Sequence, residues 1–437
     1  MQPVAGKRIT VAGLGRFGGG VAVARWLVSQ GARVLVTDRD TPEKLADSLQ
    51  QLAGEPIDYR LGEHRTEDFT AADLVVASPA IPPGSPYLLA AAAAKVPVTT
   101  EIRLFVERCP ARIVGVTGTK GKSTTASMLG RMLATKYRTH LGGNIGVSLL
   151  DKLPIITADD VVVLELSSFM LYHLGQAQWS PPLAVVTMIG SDHLDWHVTR
   201  EAYVAAKTNI VRYQRPGDVA VLCGQDPGAM ALADICAQTG ASVIAYRLDR
   251  QIELHVPGQH NQLNAAGATA AAGAMGVDAE TAAHAVRDFE GLPHRLRQVH
   301  MDAGAAYFDD SIATVPASAV AALDSFPPRT VIQIVGGHDA KADMALMCTR
   351  LAERAKAVLC IGATGDAIAA MVESAGTQLA QCGAAVHRCG DLATAIKIAK
   401  TIAKDGDVVL LSPGCKSFDQ FVNYEKRGEE FARLAIL

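Results

Sequence analysis

Short apolar, β-branched runs recur along the chain and alternate with Ala-rich stretches of helical periodicity. The runs Arg8–Ala12, Arg33–Thr37, Leu74–Ala77, Ile113–Thr117, Val161–Leu164, Ala184–Met188, Val219–Leu222, Thr330–Val335, Ala357–Ile361 and Val408–Leu411 read as strands. Gly19–Ser29, Ser123–Thr135 and Leu263–Met275 read as helices between them. This alternation is the pattern of βαβ units on parallel sheets. Two breaks interrupt it. Around Pro97–Glu101 an Ala-rich helix ends before a fresh strand begins at Ile113, and around Gly291–Val299 the stretch GLPHRLRQV carries turn signals. Cuts near 98 and 298 predict domains 1–98, 99–298 and 299–437.

Composition narrows the class. Of 437 residues 49% are hydrophobic, enough for several cores, so a disordered chain is excluded. Only 5% are aromatic, and the apolar weight on Ala, Val, Leu and Ile suits helices on parallel strands. The formal net charge of −3, with no Lys/Arg block, gives nothing to neutralise a polyphosphate backbone, so nucleic acid is not expected as the main partner. The eight cysteines, at 109, 223, 236, 348, 360, 382, 389 and 415, are scattered without a Cys-x-x-Cys pair and read as reduced thiols. Neither a signal-peptide pattern nor a stretch of about 18 apolar residues occurs. The expectation is a soluble, cytoplasmic protein.

Two glycine-rich loops carry the candidate chemistry. Gly13-Leu14-Gly15-Arg16-Phe17-Gly18 follows a strand and precedes a helix, and Asp38 ends the next strand 20 residues beyond Gly18. Taken alone this predicts a dinucleotide-binding oxidoreductase. Its physical content is narrower: glycine lets backbone approach a phosphate at a helix N-terminus, and a UDP pyrophosphate meets the same surface. A tight turn that binds nothing is the bland alternative. The second loop, Gly115-Val116-Thr117-Gly118-Thr119-Lys120-Gly121-Lys122-Ser123-Thr124, lies between a strand and an amphipathic helix. Gly121-Lys122-Ser123 supplies a P-loop ending: backbone donors, an ammonium for the β- and γ-phosphates and a hydroxyl for Mg²⁺. The strict spacing fails, since Val116 stands at its first position. ATP binding is the reading nonetheless. Glu165, closing the apolar run VVVLE, stands where P-loop enzymes place a Mg²⁺-binding acid.

The wording Thr117-Gly118-Thr119-Lys120-Gly121-Lys122-Ser123 resembles that of the Mur ligases, the ATP-dependent amino-acid-adding enzymes of peptidoglycan synthesis. Further segments follow in order: GGNIG (142–146), LELSSFML (164–171), SDHLDWH (191–197), AAK (205–207), GQHNQLNAAGA (258–268), GLPHR (291–295) and LSPGCKSFDQFVNYEKRGEEF (411–431). The resemblance implies an α/β chain of three domains: N-terminal Rossmann-like for a UDP sugar, central P-loop ATPase-type with a parallel or mixed sheet, and C-terminal Rossmann-like. The last segment and ELSSF point to the glutamate-adding branch, which couples glutamate to UDP-N-acetylmuramoyl-L-alanine through an acyl phosphate.

The resemblance also assigns residues. Lys122, Glu165, His193 and Lys207 are implied as catalytic, and Ser123, Glu165, His193 and a carbamylated Lys207 as ligands of Mg²⁺. Gly118 to Thr124, Asn261, Asn264, Arg295 and Asp310 are implied for ATP. Gly15, Asp38, Arg39, Ser78, Asn144 and His193 are implied for the UDP substrate, and Thr314, Lys341, Ser417 and Tyr424 for glutamate. By residue type alone His193 would be a satisfied polar residue and Lys207 a solvated helix lysine. The partners implied are small molecules, with no membrane, acting on a monomer.

Two other readings stay open: a nicotinamide-dependent oxidoreductase using the first loop, and a nucleotide sensor without turnover. Retention of Lys122, Glu165, His193 and Lys207 speaks against the sensor. One departure bears on the acceptor. Many relatives carry Ser-Lys-Ala-Thr where this chain has Ser311-Ile312-Ala313-Thr314, while Lys416 stands where Ala is common. Either the charge has moved, or Ile312 marks a different acceptor such as L-glutamate. If it has moved, Lys416→Ala should raise the KM for D-glutamate by about tenfold, the worth of one charge-assisted hydrogen bond. Ile312→Lys should alter it too; unchanged KM in both variants rules the relocation out.

Overall fold

A computed structural model describes residues 4–15, 18–146, 148–339, 341–377 and 383–437. Arg16 and Phe17 of the first glycine loop, and Cys382, lie outside them. The chain forms two compact units, Met1–Gln251 with Leu263–Val286, and Ile252–Gln262 with Arg287–Leu437.

The first unit holds two parallel sheets. One has five strands in the order Ile57–Leu61, Arg33–Asp38, Arg8–Ala12, Leu74–Ala77, Val98–Thr99. The other has six, in the order Ser242–Tyr246, Val219–Cys223, Leu183–Val186, Arg112–Thr117, Val161–Glu165, Thr139–Gly143. Its central strands are covered by helices on both faces, and every residue of Val161–Glu165 is buried. Continuous apolar runs are what that position requires, because a parallel strand needs a crossover that lays a helix on its face.

The sheet of the second unit runs Arg297–Asp302, Ala305–Asp309, Val408–Leu411, Val331–Gly336, Ala357–Ile361, Ala385–Gly390. Only its first pair is antiparallel; the rest are parallel. Two apolar cores flank it. Val331, Val335, Met347, Leu351, Val358 and Leu410 lie in one, and Ile332, Ile334, Leu359, Ile396, Val409 and Phe431 in the other.

The ten strands read from the sequence are all present, within two residues at each end. Arg8–Ala12, Leu74–Ala77, Ala357–Ile361 and Val408–Leu411 coincide with the observed strands, as does the helix Gly19–Ser29. The helix expected at Leu263–Met275 begins four residues earlier, at Gln259. Among the described residues no helix is long and apolar enough to cross a membrane. Seven cysteines are described, and all are free.

The first glycine loop is held by packing. A Cβ on Gly20 would lie 2.6 Å from Leu14 Cα and 2.7 Å from the Gly13 carbonyl, so the helix Gly19–Ser29 can approach the loop only at a bare Cα. Gly20→Ala is expected to destabilise the protein by about 1–3 kcal/mol, as backbone cannot yield to the added methyl. Urea unfolding followed by the fluorescence of Trp26, buried on this helix, would measure it.

Candidate functional site

The second glycine loop closes around its own backbone. Strand Arg112–Thr117 delivers it, and helix Lys122–Ala134 leaves it from Gly121, whose φ of 84° is left-handed. A side chain there would also collide with the Asn264 side-chain oxygen, so glycine is required twice over. Thr119 N–H donates to the Met188 carbonyl at 2.7 Å, and the Thr187 hydroxyl donates to the Lys120 carbonyl at 2.5 Å. Lys122 Nζ donates to the Thr119 carbonyl at 3.1 Å, poised over the loop, while Ser123 is half-buried and Lys120 exposed. Gly118 and Thr124 are buried beside them.

Glu165 is 1% exposed at the end of its strand. Its Oε1 accepts from Asn144 Nδ2 at 3.0 Å, and its backbone carbonyl accepts from Asn144 N–H at 2.8 Å. The other carboxylate oxygen, Oε2, is buried without a hydrogen-bond partner. An orphaned anionic oxygen costs free energy unless something electropositive arrives. Lys207, on helix Arg200–Arg212, is 1% exposed and donates to the Gly118 carbonyl at 2.8 Å and to Thr117 Oγ1 at 3.3 Å. Burial, helped by the Lys122 charge, pushes its amine well below the ordinary lysine range; Asp192 and Glu165 oppose this. Tyr203, one turn earlier, hydrogen-bonds Thr119 Oγ1 at 2.8 Å, and Lys207 Nζ stands 5.1 Å from its ring centre. The helix therefore ties Lys207 to the phosphate loop at two points.

His193 is exposed, with a φ of 51°; its ring centre lies 4.8 Å from that of Phe169 and its Nε2 3.7 Å from Asp192. Among the described residues no three of His, Cys, Asp and Glu converge as a ready-made metal cage. The donor types on these elements fit a hard cation shared with phosphate: one carboxylate with a free oxygen, a serine hydroxyl, and Lys207 if converted to an oxygen anion. Mg²⁺ characteristically uses one or two carboxylates plus substrate phosphates.

The N-terminal loop and the central sheet share a cavity of about 390 Å³, lined by Gly13, Gly15, Ser78, Glu101, Asn144 and Ser167 among others. Asp38 uses one oxygen for Gly15 N–H at 3.0 Å and the other for Asp40 N–H at 2.9 Å, so its carboxylate shapes this loop; Arg39 is exposed beside it. A second cavity in the same unit, of about 860 Å³, is lined by Tyr172, Trp196, His197 and Arg212 among others and by none of the residues predicted from sequence.

In the second unit Asp310 is buried. Its oxygens accept from Leu296 N–H at 3.1 Å and Ser412 Oγ at 2.7 Å, and burial pushes its carboxyl up to about 7 against the pull of Arg295. Asn261 is also buried and donates to the Pro257 carbonyl at 2.7 Å. Thr314 is half-buried, Ser417 buried and Lys341 exposed with a φ of 54°. Tyr424 opens the helix Tyr424–Ile436, its phenol raised by burial.

Sequence reasoning passed over the residue that fixes these loops. Arg427 is 1% exposed, and among the described residues it makes no salt bridge, although Asp419 and Asp309 are near enough to act on its charge. Its guanidinium donates to Ser311 Oγ at 3.0 Å, to the Ser311 carbonyl at 2.8 Å and to the Cys415 carbonyl at 3.1 Å. One fork thus brackets the loops that carry Thr314 and Ser417. The signal was available: Arg427, Phe431 and Ala435 recur every fourth residue, on the buried side of an otherwise charged helix. Ser167 and Phe169, though inside the segment LELSSFML, were given no role, and Glu101 and Tyr203 were missed because an isolated side chain carries no motif.

Models of three domains match the chain: the Mur ligase MurD-like N-terminal domain over residues 7–100, the Mur ligase middle domain over 116–251 and the Mur ligase glutamate ligase domain over 294–415. The UDP-N-acetylmuramoylalanine--D-glutamate ligase of Roseiflexus sp. (strain RS-1) is 41% identical, the match covering 99% of this chain and 98% of that one. That of Anaeromyxobacter dehalogenans (strain 2CP-C) is 38% identical, covering 98% and 97%. Among solved structures, the UDP-N-acetylmuramate-alanine ligase MurC of Thermotoga maritima superposes with a TM-score of 0.62 at 20% identity, over 98% of each chain. Mycobacterium tuberculosis folylpolyglutamate synthase complexed with ADP does so at 0.56 and 18% identity, over 76% of this chain and 93% of that one. These two are likenesses of fold.

Two outcomes follow for the second unit. Arg427→Lys keeps the charge and loses the fork, leaving loop carbonyls unpaired; a loss of about 2–4 kcal/mol is expected in denaturant unfolding followed by circular dichroism. His294 Nδ1 meets Asp309 Oδ2 at 2.7 Å, and this hydrogen bond raises the imidazole above its ordinary value. The pair's contribution is therefore fully present below about pH 6.5 and is lost as pH rises through the raised folded value. The thermal midpoint should fall over that window, and His294→Gln should flatten the fall.

Proposed function

The chain belongs to the Mur ligase family, and on that footing we propose that it joins D-glutamate to the carboxylate of UDP-N-acetylmuramoyl-L-alanine, cleaving ATP to ADP and phosphate. It is an ATP-dependent, amide-forming ligase of peptidoglycan synthesis. The observation that carries the site assignment is the convergence of the phosphate loop, the half-satisfied Glu165 and the buried Lys207. The names and identities of the curated relatives support the acceptor and the sugar substrate. We read the enzyme as monomeric and cytoplasmic.

In this reading the amides of Gly118 to Thr124 and the Lys122 ammonium receive the ATP phosphates. Asn264 and Asn261 address the adenine, Arg295 the phosphates and Asp310 the ribose. Glu165, Ser123, His193 and Lys207 would hold Mg²⁺, which when bound neutralises charge on the phosphates. The substrate carboxylate attacks the γ-phosphorus, the bond to the bridging β,γ-oxygen breaks, and ADP leaves. The glutamate amine then attacks the acyl carbon and loses a proton, and phosphate departs as the amide forms. The chain's work is positioning and charge placement. Asn144, locked to Glu165, presents the sugar substrate's reacting end together with His193. Gly15, Asp38, Arg39 and Ser78 hold its uridine end. Thr314, Lys341, Ser417 and Tyr424 hold glutamate.

Lys207 has the property that carbamylation needs. Burial lowers its pKa well below the ordinary lysine range, which favours the neutral amine, the form that attacks carbon dioxide. The product is an oxygen donor suited to Mg²⁺.

Phosphate release from ATP with UDP-N-acetylmuramoyl-L-alanine and Mg²⁺ tests the reading, with D-glutamate, L-glutamate, meso-diaminopimelate or L-lysine in parallel. Release with D-glutamate alone is expected. Release with another acceptor moves the specificity, and release with none overturns the assignment. Lys122→Ala should lower kcat by about 10²- to 10³-fold. Stripping carbon dioxide and bicarbonate should slow the wild type, and the residual activity of Lys207→Met should ignore bicarbonate.

A further inference from the structure

The cavity shared by the N-terminal loop and the central sheet has a charge pattern that its proposed occupant does not explain. Among the described residues lining it, Glu101 alone carries an ionisable side chain; the rest are glycine, apolar, hydroxyl or amide groups. A nucleoside diphosphate is strongly anionic, and a carboxylate is the last group expected to face it. Glu101 stands at the start of the short helix Glu101–Val106, half-buried. The Ser148 hydroxyl donates to its Oε1 at 2.6 Å. Its Oε2 has no hydrogen-bond partner among the described residues, yet is not among the polar atoms sealed from the cavity. Burial pushes its carboxyl up and the Ser148 bond holds it down, so the group is desolvated but anchored.

The two ends of the cavity are already spoken for. Gly13 and Gly15 stand at the loop preceding helix Gly19–Ser29, whose N-terminus suits phosphate. Asn144, bound to Glu165, belongs to the reacting end. Between a diphosphate and a reacting carboxylate, both anionic, a UDP-N-acetylmuramoyl-L-alanine substrate offers hydrogen-bond donors on the sugar, its hydroxyls and acetamido N–H, and one further along at the amide N–H of the alanyl residue. An anchored acceptor in a wall that holds no cation among the described residues suits a neutral donor and repels a phosphate placed there instead.

We propose that Glu101 is a specificity residue whose free oxygen accepts a hydrogen bond from a hydroxyl or amide N–H of the substrate's sugar, with Ser148 holding the carboxylate in place. The inference rests on the reading that this cavity takes the UDP-sugar substrate. A residue whose only task is to start a helix would give a different result in each arm of the test.

The experiment uses the full-length enzyme and Glu101→Gln, which keeps shape and the Ser148 contact but turns an amide donor toward the sugar. The KM for UDP-N-acetylmuramoyl-L-alanine is expected to rise about 10- to 100-fold, the range for a hydrogen bond to a charged group. Expected to stay unchanged are kcat (within about twofold), the KM values for ATP and D-glutamate, and the thermal midpoint. Free UDP, which lacks the muramoyl sugar, should inhibit wild type and variant equally. Ser148→Ala should raise the same KM less, and the double variant should add little to Glu101→Gln. An unchanged KM for the sugar substrate overturns the proposal. So does equal weakening of UDP and of the sugar substrate, or a lowered thermal midpoint with all three KM values raised, since these mark a structural role. If the wild type shows no turnover, the proposed reaction has failed. Calorimetric titration of UDP-N-acetylmuramic acid into both proteins then decides the role of Glu101 separately, and equal or absent binding overturns it.

Discussion

A carboxylate oxygen buried without a partner is the constraint around which the central domain is organised. Glu165 ends a strand that is apolar on both faces, and only one of its oxygens is satisfied. Close by, Lys207 is equally buried and is driven toward its neutral form. Neither state is comfortable in a low-dielectric interior, where an unpaired charge costs several kcal/mol (order of magnitude). Left to folding alone, such a site would be selected against. Charge brought by a ligand would complete it, and that is the sense in which the proposed site trades stability for function.

The surroundings keep that site from relaxing. Gly121 presses against Asn264, Thr187 ties the turn of the phosphate loop, and Tyr203 joins the loop to the helix carrying Lys207. Asn144 holds Glu165 twice, through its side chain and its backbone. A loop so bound does not need to reorganise when phosphate arrives, and preorganisation is where most of the benefit of placed charges lies. The second unit uses the same device with a cation. Arg427 spends its donors on backbone carbonyls of two loops, which fixes their spacing before any ligand is present.

The first glycine loop illustrates how one pattern serves different chemistry. Its glycines satisfy the geometry of close backbone approach, and Gly20 is needed for packing alone. Asp38, which a dinucleotide reading reserves for ribose hydroxyls, bonds Gly15 and Asp40 backbone instead. The surface suits a pyrophosphate without specifying the rest of the ligand. The rest of the cavity wall includes Asn144, Ser148 and Glu101, which come from other segments of the chain.

Strand and helix positions, the class of fold and the phosphate loop were legible in the sequence, because each depends on neighbours within about twenty residues. Apolar runs bury themselves, Gly-Lys-Ser closes a turn onto a helix, and Glu165 is the last residue of its strand. The tertiary structure alone decided the rest. It buried Lys207, which a helix pattern presents as solvated. It left one oxygen of Glu165 unsatisfied, and it placed Arg427 across two loops more than a hundred residues apart in sequence at Ser311 and Cys415. It also brought Glu101 to the wall of a cavity. Burial and partnership depend on which elements pack together, and no local spacing encodes that: a lysine or a glutamate acquires its pKa and its reach from residues it meets only after folding.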